Sequence, residues 1–146
     1  MEYTLIIDQT RKEEVVVTAH APNRLTEEIE NLVLTYGGKD HLTVYTEDER
    51  MLLHYSEIEC VTVIDRKLYA IGADGKKYRL KCRLWEVESG LPTYFVRINK
   101  STVANQHRIA RFHTSFSGAV DAVFRSGYKD YVSRRCFADL KRRLEK

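Results

Sequence analysis

The hydrophobic pattern changes period twice along this chain. Tyr3–Ile7 and Glu14–His20 alternate or run in β-branched residues, and the polar Asp8–Glu13 between them reads as a hairpin turn, so two strands are expected to open the chain. Pro22 and Asn23 interrupt that pattern. Leu25, Ile29, Leu32, Val33 and Tyr36 then recur at helical spacing among Glu27, Glu28 and Glu30, which predicts an amphipathic helix over Ala21–Tyr36 with acids toward its positive end. Gly37-Gly38 is the expected stop. From His41 the period returns to two. Leu42–Tyr45, Arg50–Tyr55, Ile58–Ile64, Lys67–Ile71 and Lys76–Leu80 read as strands, with the Asp-Gly hairpin signal in Ala73-Asp74-Gly75. Cys82–Glu88 reads as a short helix. Strands follow from Tyr94 and over His107–His113, Ala119–Arg125 and Lys129–Ser133, separated by turns at Ser117-Gly118 and Ser126-Gly127, and a basic helix over Arg135–Leu144 closes the chain. The expected fold is mostly β (α+β), a multi-stranded meander. Residues 1–40 form an N-terminal strand and helix extension that could serve in dimerisation, and residues 41–146 form the β domain.

Composition narrows the class. A chain of 146 residues with 43% hydrophobic and 31% charged content suits one globular core. No window approaches the roughly 18 apolar residues of a membrane span, and Met1–Asp8 is too short and acidic for a signal peptide, which makes a cytoplasmic location the expectation. Cys60, Cys82 and Cys136 are odd in number and show no C-x-x-C spacing, so reduced thiols are expected. The five histidines have no H-x-x-x-H or H-E-x-x-H spacing, and neither a metal nor another cofactor is expected.

Charge is unevenly divided. Met1–Gly75 carries 7 Lys/Arg against 15 Asp/Glu, and Lys76–Lys146 carries 17 against 6, so a net of −8 faces one of +11. The second half attracts polyanions; some of the imbalance can also pair internally.

Two segments concentrate the chemistry: Tyr94–Asn105, YFVRINKSTVAN, and Tyr131–Phe137, YVSRRCF. In each, a short β-type run ends in cations and small polar residues. Arg offers a bidentate fork to phosphate or guanine, Lys a point charge, and Ser and Asn short hydrogen bonds. A solvated strand end is the alternative use of the same residue types. The order aromatic, Val, Arg, Ile, x, Lys, Ser, Thr, Val, x, Asn resembles the signature of the LytTR family of bacterial DNA-binding domains. About thirty residues on, VSRRCFADLKRRL resembles that family's second block, and EIECVTVIDRKLY (Glu57–Tyr69) resembles an upstream strand and turn more weakly. The likeness covers about Thr43–Leu144.

The resemblance implies a mostly β domain that inserts loops and turns into successive major grooves of duplex DNA, binding as a dimer or as two monomers on repeated half-sites. Carried over residue by residue, the first contact is the turn with Arg66 and Lys67. The second is Asn99-Lys100-Ser101, where Asn99 stands in place of the family's usual His. The third is Ser133 with Arg134 or Arg135, and spacing leaves open which arginine faces the groove. Arg97 and Asn105, on flanking strands, brace the loop or touch backbone phosphate. Many members carry a receiver domain; residues 1–40 are too few for one and lack its acidic cluster, so regulation would come through a homodimer, a separate partner or expression level. Small stand-alone members are associated with membrane proteins, which implies such a regulatory partner.

Two other classes compete with a sequence-specific regulator. Tyr69, Tyr78, Tyr94, Tyr128 and Tyr131 could stack on unpaired bases, making a single-stranded nucleic-acid module, or the chain could be a non-catalytic protein-interaction module. An enzyme is not expected: the acids of the basic half show no evident pairing for Mg²⁺, Ser101 and Ser133 lack a G-x-S-x-G context, and no glycine-rich phosphate loop occurs.

Overall fold

A computed structural model describes residues 1–36 and 40–144, with the backbone alone for 34–36. The expected Gly37-Gly38 helix stop therefore lies outside the described residues. The chain forms two compact units, Met1–Gly37 and Gly38–Lys146.

In the first unit, helix α1 spans Arg24–Tyr36, three residues later than the hydrophobic spacing suggested. The start is fixed by capping. Asn23 Oδ1 accepts from the Thr26 N–H at 3.0 Å, and Thr26 Oγ1 accepts from the Asn23 N–H at 2.9 Å, a reciprocal box that leaves Ala21 and Pro22 outside. The two expected opening strands are not formed: Tyr3–Ile7 and Glu14–His20 enter no ladder among the described residues. Their β-branched residues favour extended backbone, but a strand is completed only by a partner edge. Only the turn is as expected, with Asp8 Oδ1 accepting from the Thr10 N–H at 2.9 Å and its hydroxyl at 2.6 Å. Tyr3, Leu5, Ile6, Ile7, Val15, Val16 and Leu32 are all exposed.

The second unit is mostly β. Strands β1 (His41–Tyr45), β2 (Arg50–His54), β3 (Ile58–Ile64), β4 (Lys67–Gly72), β5 (Lys77–Leu80), β6 (Phe95–Asn99) and β7 (Thr102–Asn105) form a seven-stranded antiparallel sheet in the order β2-β1-β5-β4-β3-β7-β6. Strands β8 (Ile109–Thr114), β9 (Val120–Phe124) and β10 (Lys129–Val132) form a second sheet. Helices α2 (Leu84–Gly90) and α3 (Arg134–Leu144) complete it, and single 3-10 turns follow β2 and β7. Expected and observed boundaries differ by one or two residues at most strand ends. Helix α2 begins two residues later than the expected Cys82–Glu88 and runs on through Gly90.

The period-two alternation sorts side chains into two cores. Val44, Val61, Leu68, Ala70, Leu80 and Val103 point to one face of the large sheet, where Leu84 and Val87 of α2 cover them. Cys60, Ile71, Val96, Ile98 and Ala104 point to the other, against Val120, Ala122 and Phe124 of the small sheet and Leu140 of α3. Strand β3 is central and buried on both faces, which explains its nearly unbroken apolar run. Its one buried charge, Glu59, is matched. Oε1 accepts from Arg108 Nε at 2.5 Å and Oε2 from the Ser126 N–H at 2.8 Å, tying the two sheets together. The three cysteines are free, and burial pushes the Cys60 thiol pKa well up.

Candidate nucleic-acid interface

Three turns carry the candidate residues, and hydrogen bonds hold them together. The β3–β4 hairpin closes in two residues, Asp65 and Arg66, with φ of 50° and 68°. Both sit in the left-handed region that a type I′ turn requires; neither is glycine. Arg66 and Lys67 are exposed at the tip. The adjacent Val63 N–H donates to the Ser101 carbonyl at 3.0 Å, which fixes this hairpin beside the β6–β7 turn.

The β6–β7 turn, Lys100-Ser101, is built from below. Arg97 grips Glu88 of α2 with Nε and Nη2 at 2.8 and 3.1 Å, and its Nη1 donates to the Lys100 carbonyl at 2.8 Å. The Glu88 hydrogen bond also raises the Arg97 pKa. Asn99, expected among the contacting residues, is buried: its Oδ1 accepts from the Ser101 N–H at 2.8 Å and its Nδ2 donates to the Tyr131 carbonyl at 2.8 Å. With both ends of its amide engaged, it shapes the turn. Asn105 is likewise buried, donating to the carbonyls of Tyr55 and Ile58, both at 3.1 Å, while Oδ1 caps the following 3-10 turn through the His107 N–H. Lys100 is left exposed at the apex and Ser101 half-buried beside it.

The third segment joins the same edge. The Ser133 N–H donates to the Ile98 carbonyl at 2.8 Å. The Ser133 hydroxyl accepts from the Cys136 N–H at 3.2 Å, making it the N-cap of α3. The cap sets Arg134 and Arg135 on the first turn of that helix, both exposed. The buried Thr102 hydroxyl links the two sheets here: it accepts from Thr62 at 2.7 Å and donates to Asp130 Oδ2 at 2.6 Å.

Of the ten residues singled out from sequence, Arg66, Lys67, Lys100, Ser101, Arg134 and Arg135 thus lie on connected turns. Arg97, Asn99, Asn105 and Ser133 hold those turns in shape. The two asparagines were legible as polar residues at strand ends; nothing local showed that they would be enclosed. The tyrosines weighed for base stacking are mostly engaged. Tyr94 stacks on His107 at 4.3 Å, the Tyr78 hydroxyl donates to Asp74 at 2.5 Å, and Tyr128 packs on Phe124.

Fold and site define a class, a mostly β module that offers cations on turns along one edge. Strands separate α1 from α2 and α2 from α3, so the described residues contain no helix-turn-helix. Residues 48–145 match the family of the LytTr DNA-binding domain, and the chain belongs to that family. It is 29% identical over 147 residues to an uncharacterised HTH-type transcriptional regulator of Staphylococcus aureus strain bovine RF122 / ET3-1, covering 99% of this chain and 98% of that protein. A second such regulator, from strain MSSA476, is 28% identical with the same coverage. Among solved structures, a LytTr DNA-binding domain from Bacillus cereus superposes with a TM-score of 0.67 at 22% identity, covering 75% of this chain and all of that one. The curated relatives therefore match this chain almost end to end.

Proposed function

We propose that this chain is a transcriptional regulator that binds duplex DNA sequence-specifically, reading the major groove with the β3–β4, β6–β7 and β10–α3 turns. The observation that carries the reading is the pair of backbone bonds, Val63 N–H to Ser101 O and Ser133 N–H to Ile98 O, that gathers three basic turns on one edge. Arg66, Lys100 and the two arginines of α3 supply forks and point charges for guanine edges and phosphates. Arg97, Asn99 and Asn105 act beneath them, since a turn held by buried amides presents its cations without further ordering cost.

A homodimer fits the first unit. Units below about 40 residues seldom bury enough apolar surface to stand alone. Here Leu5, Ile6, Val16 and Leu32 remain exposed, and two extended segments offer unpaired edges that a second copy would complete. Two copies would then address two half-sites.

Selection of random duplex DNA by the purified protein at physiological salt, followed by sequencing, tests the reading. Convergence on a repeated motif, bound at least about a thousandfold more tightly than random duplex, is expected. A pool that stays random rejects sequence-specific binding. Light scattering on the full chain and on Leu32→Asp tests the dimer: the substitution should yield monomer with its β unit intact.

A further inference from the structure

A second basic surface lies on the large sheet, beside the three turns. Arg50 pairs in register with Tyr45, Tyr45 with Arg79, and Arg79 with Tyr69, so these four side chains share one face across β2, β1, β5 and β4. Lys77 and Lys81 stand two places either side of Arg79 and join that face. The cations group over the rings: Lys81 Nζ lies 4.2 Å and Arg50 Cζ 5.6 Å from the Tyr45 ring centre, Lys77 Nζ 5.2 Å and Arg79 Cζ 5.8 Å from that of Tyr69. Among the described residues none of the four forms an ion pair, and the buried Arg79 Nη1 has no hydrogen-bond partner. Four like charges with no carboxylate in ion-pair contact repel one another, and an anion relieves that repulsion.

We infer that this face docks the sugar–phosphate backbone of duplex DNA flanking the site read by the turns, an inference that rests on the DNA-binding reading above. Three arguments select that occupant. The cations sit over both tyrosines, so the rings orient charge and are not open platforms for unpaired bases. The row from Tyr69 to Arg50 crosses three strand spacings, about 14 Å, the axial span of about four phosphates on one DNA strand. It is also continuous with the turns: Lys67, which follows Arg66, begins the strand that carries Tyr69 and lies on the same face. Contacts to the sugar–phosphate backbone add affinity and footprint without adding sequence preference.

The experiment compares the full chain with the triple variant Arg50→Gln, Lys77→Gln and Lys81→Gln, all at exposed positions, after thermal unfolding confirms that both fold alike. Each is titrated at several salt concentrations against the selected motif in a long duplex, the motif trimmed of its flanks, and a random duplex. The wild type should lose affinity on trimming; the variant should bind both motif duplexes equally and select the same motif. Loss of three phosphate contacts lowers the salt slope by about 2.7, so between 50 and 200 mM salt the wild type should weaken about 40-fold more than the variant. An unchanged flank dependence and salt slope in the variant overturns the inference and leaves the regulator reading intact. If the wild type selects no motif, that reading fails, and the random-duplex slopes still decide the face: a lower slope in the variant supports backbone docking, and equal slopes reject it.

Discussion

Asn99 and Tyr131 are 32 residues apart in sequence, and a 2.8 Å hydrogen bond from the Asn99 amide to the Tyr131 carbonyl joins them. The same amide accepts from the Ser101 N–H, so one buried side chain sets the β6–β7 turn and anchors the strand that leads to Arg134. Asn99→Ala leaves the Tyr131 carbonyl and the Ser101 N–H unmatched at a part-buried site, at a cost of about 1–3 kcal/mol. Urea unfolding should show that loss, together with weaker DNA binding at both turns. Unchanged stability would contradict the bracing role.

Arg66 holds a φ of 68°, where a side chain is strained and glycine is not. Arg66→Gly should therefore raise stability by about 0.5–1 kcal/mol, read from the denaturation midpoint. DNA affinity should fall at the same time, with a salt slope lower by about 0.9 for one lost phosphate contact. A variant that gains stability and keeps full affinity would remove Arg66 from the interface.

Glu59 is wholly buried and depends on Arg108. Arg108→Ala strands that carboxylate, and a loss of about 3–5 kcal/mol in thermal or chemical unfolding is expected. The double variant Glu59→Gln with Arg108→Gln, which buries no charge, should recover a large part of it. If both variants unfold alike, the uncompensated charge is not the cause.

Burial first, then the nearby Cys60 and Asp130, pushes the Tyr128 phenol up to about 12 from its ordinary 10. The folded state holds this proton where the unfolded state has released it. The contribution is therefore complete below pH 10 and is lost as pH rises from 10 through about 12. Unfolding measured across that window should show a falling stability that is shallower in Tyr128→Phe. Identical profiles for the two proteins would exclude Tyr128 as the titrating group.

Much of the β unit was legible because strand and turn signals act over a few residues. The Asp-Gly turn before Lys76 and the turns at Gly118 and Gly127 formed where expected, all three glycines at positive φ. The opening strands misled for a related reason. The residues of Tyr3–Ile7 state a preference for extended backbone, and nothing in their own stretch states whether an edge will be there to pair with. A hydroxyl before two arginines suits phosphate, and the Ser133 hydroxyl equally suits the cap of the helix those arginines begin.

By itself the sequence determined the alternation that builds two cores, the family signature, and the residue types able to meet an anion. Tertiary structure decided which of them are free to do so. Strand order β2-β1-β5-β4-β3-β7-β6 is a non-local outcome of burying both faces of β3, and it encloses Asn99 and Asn105 while gathering Arg50, Lys77, Arg79 and Lys81 over two tyrosines. Side chains so far apart in the chain become neighbours only when the sheet closes, and no local pattern records that meeting.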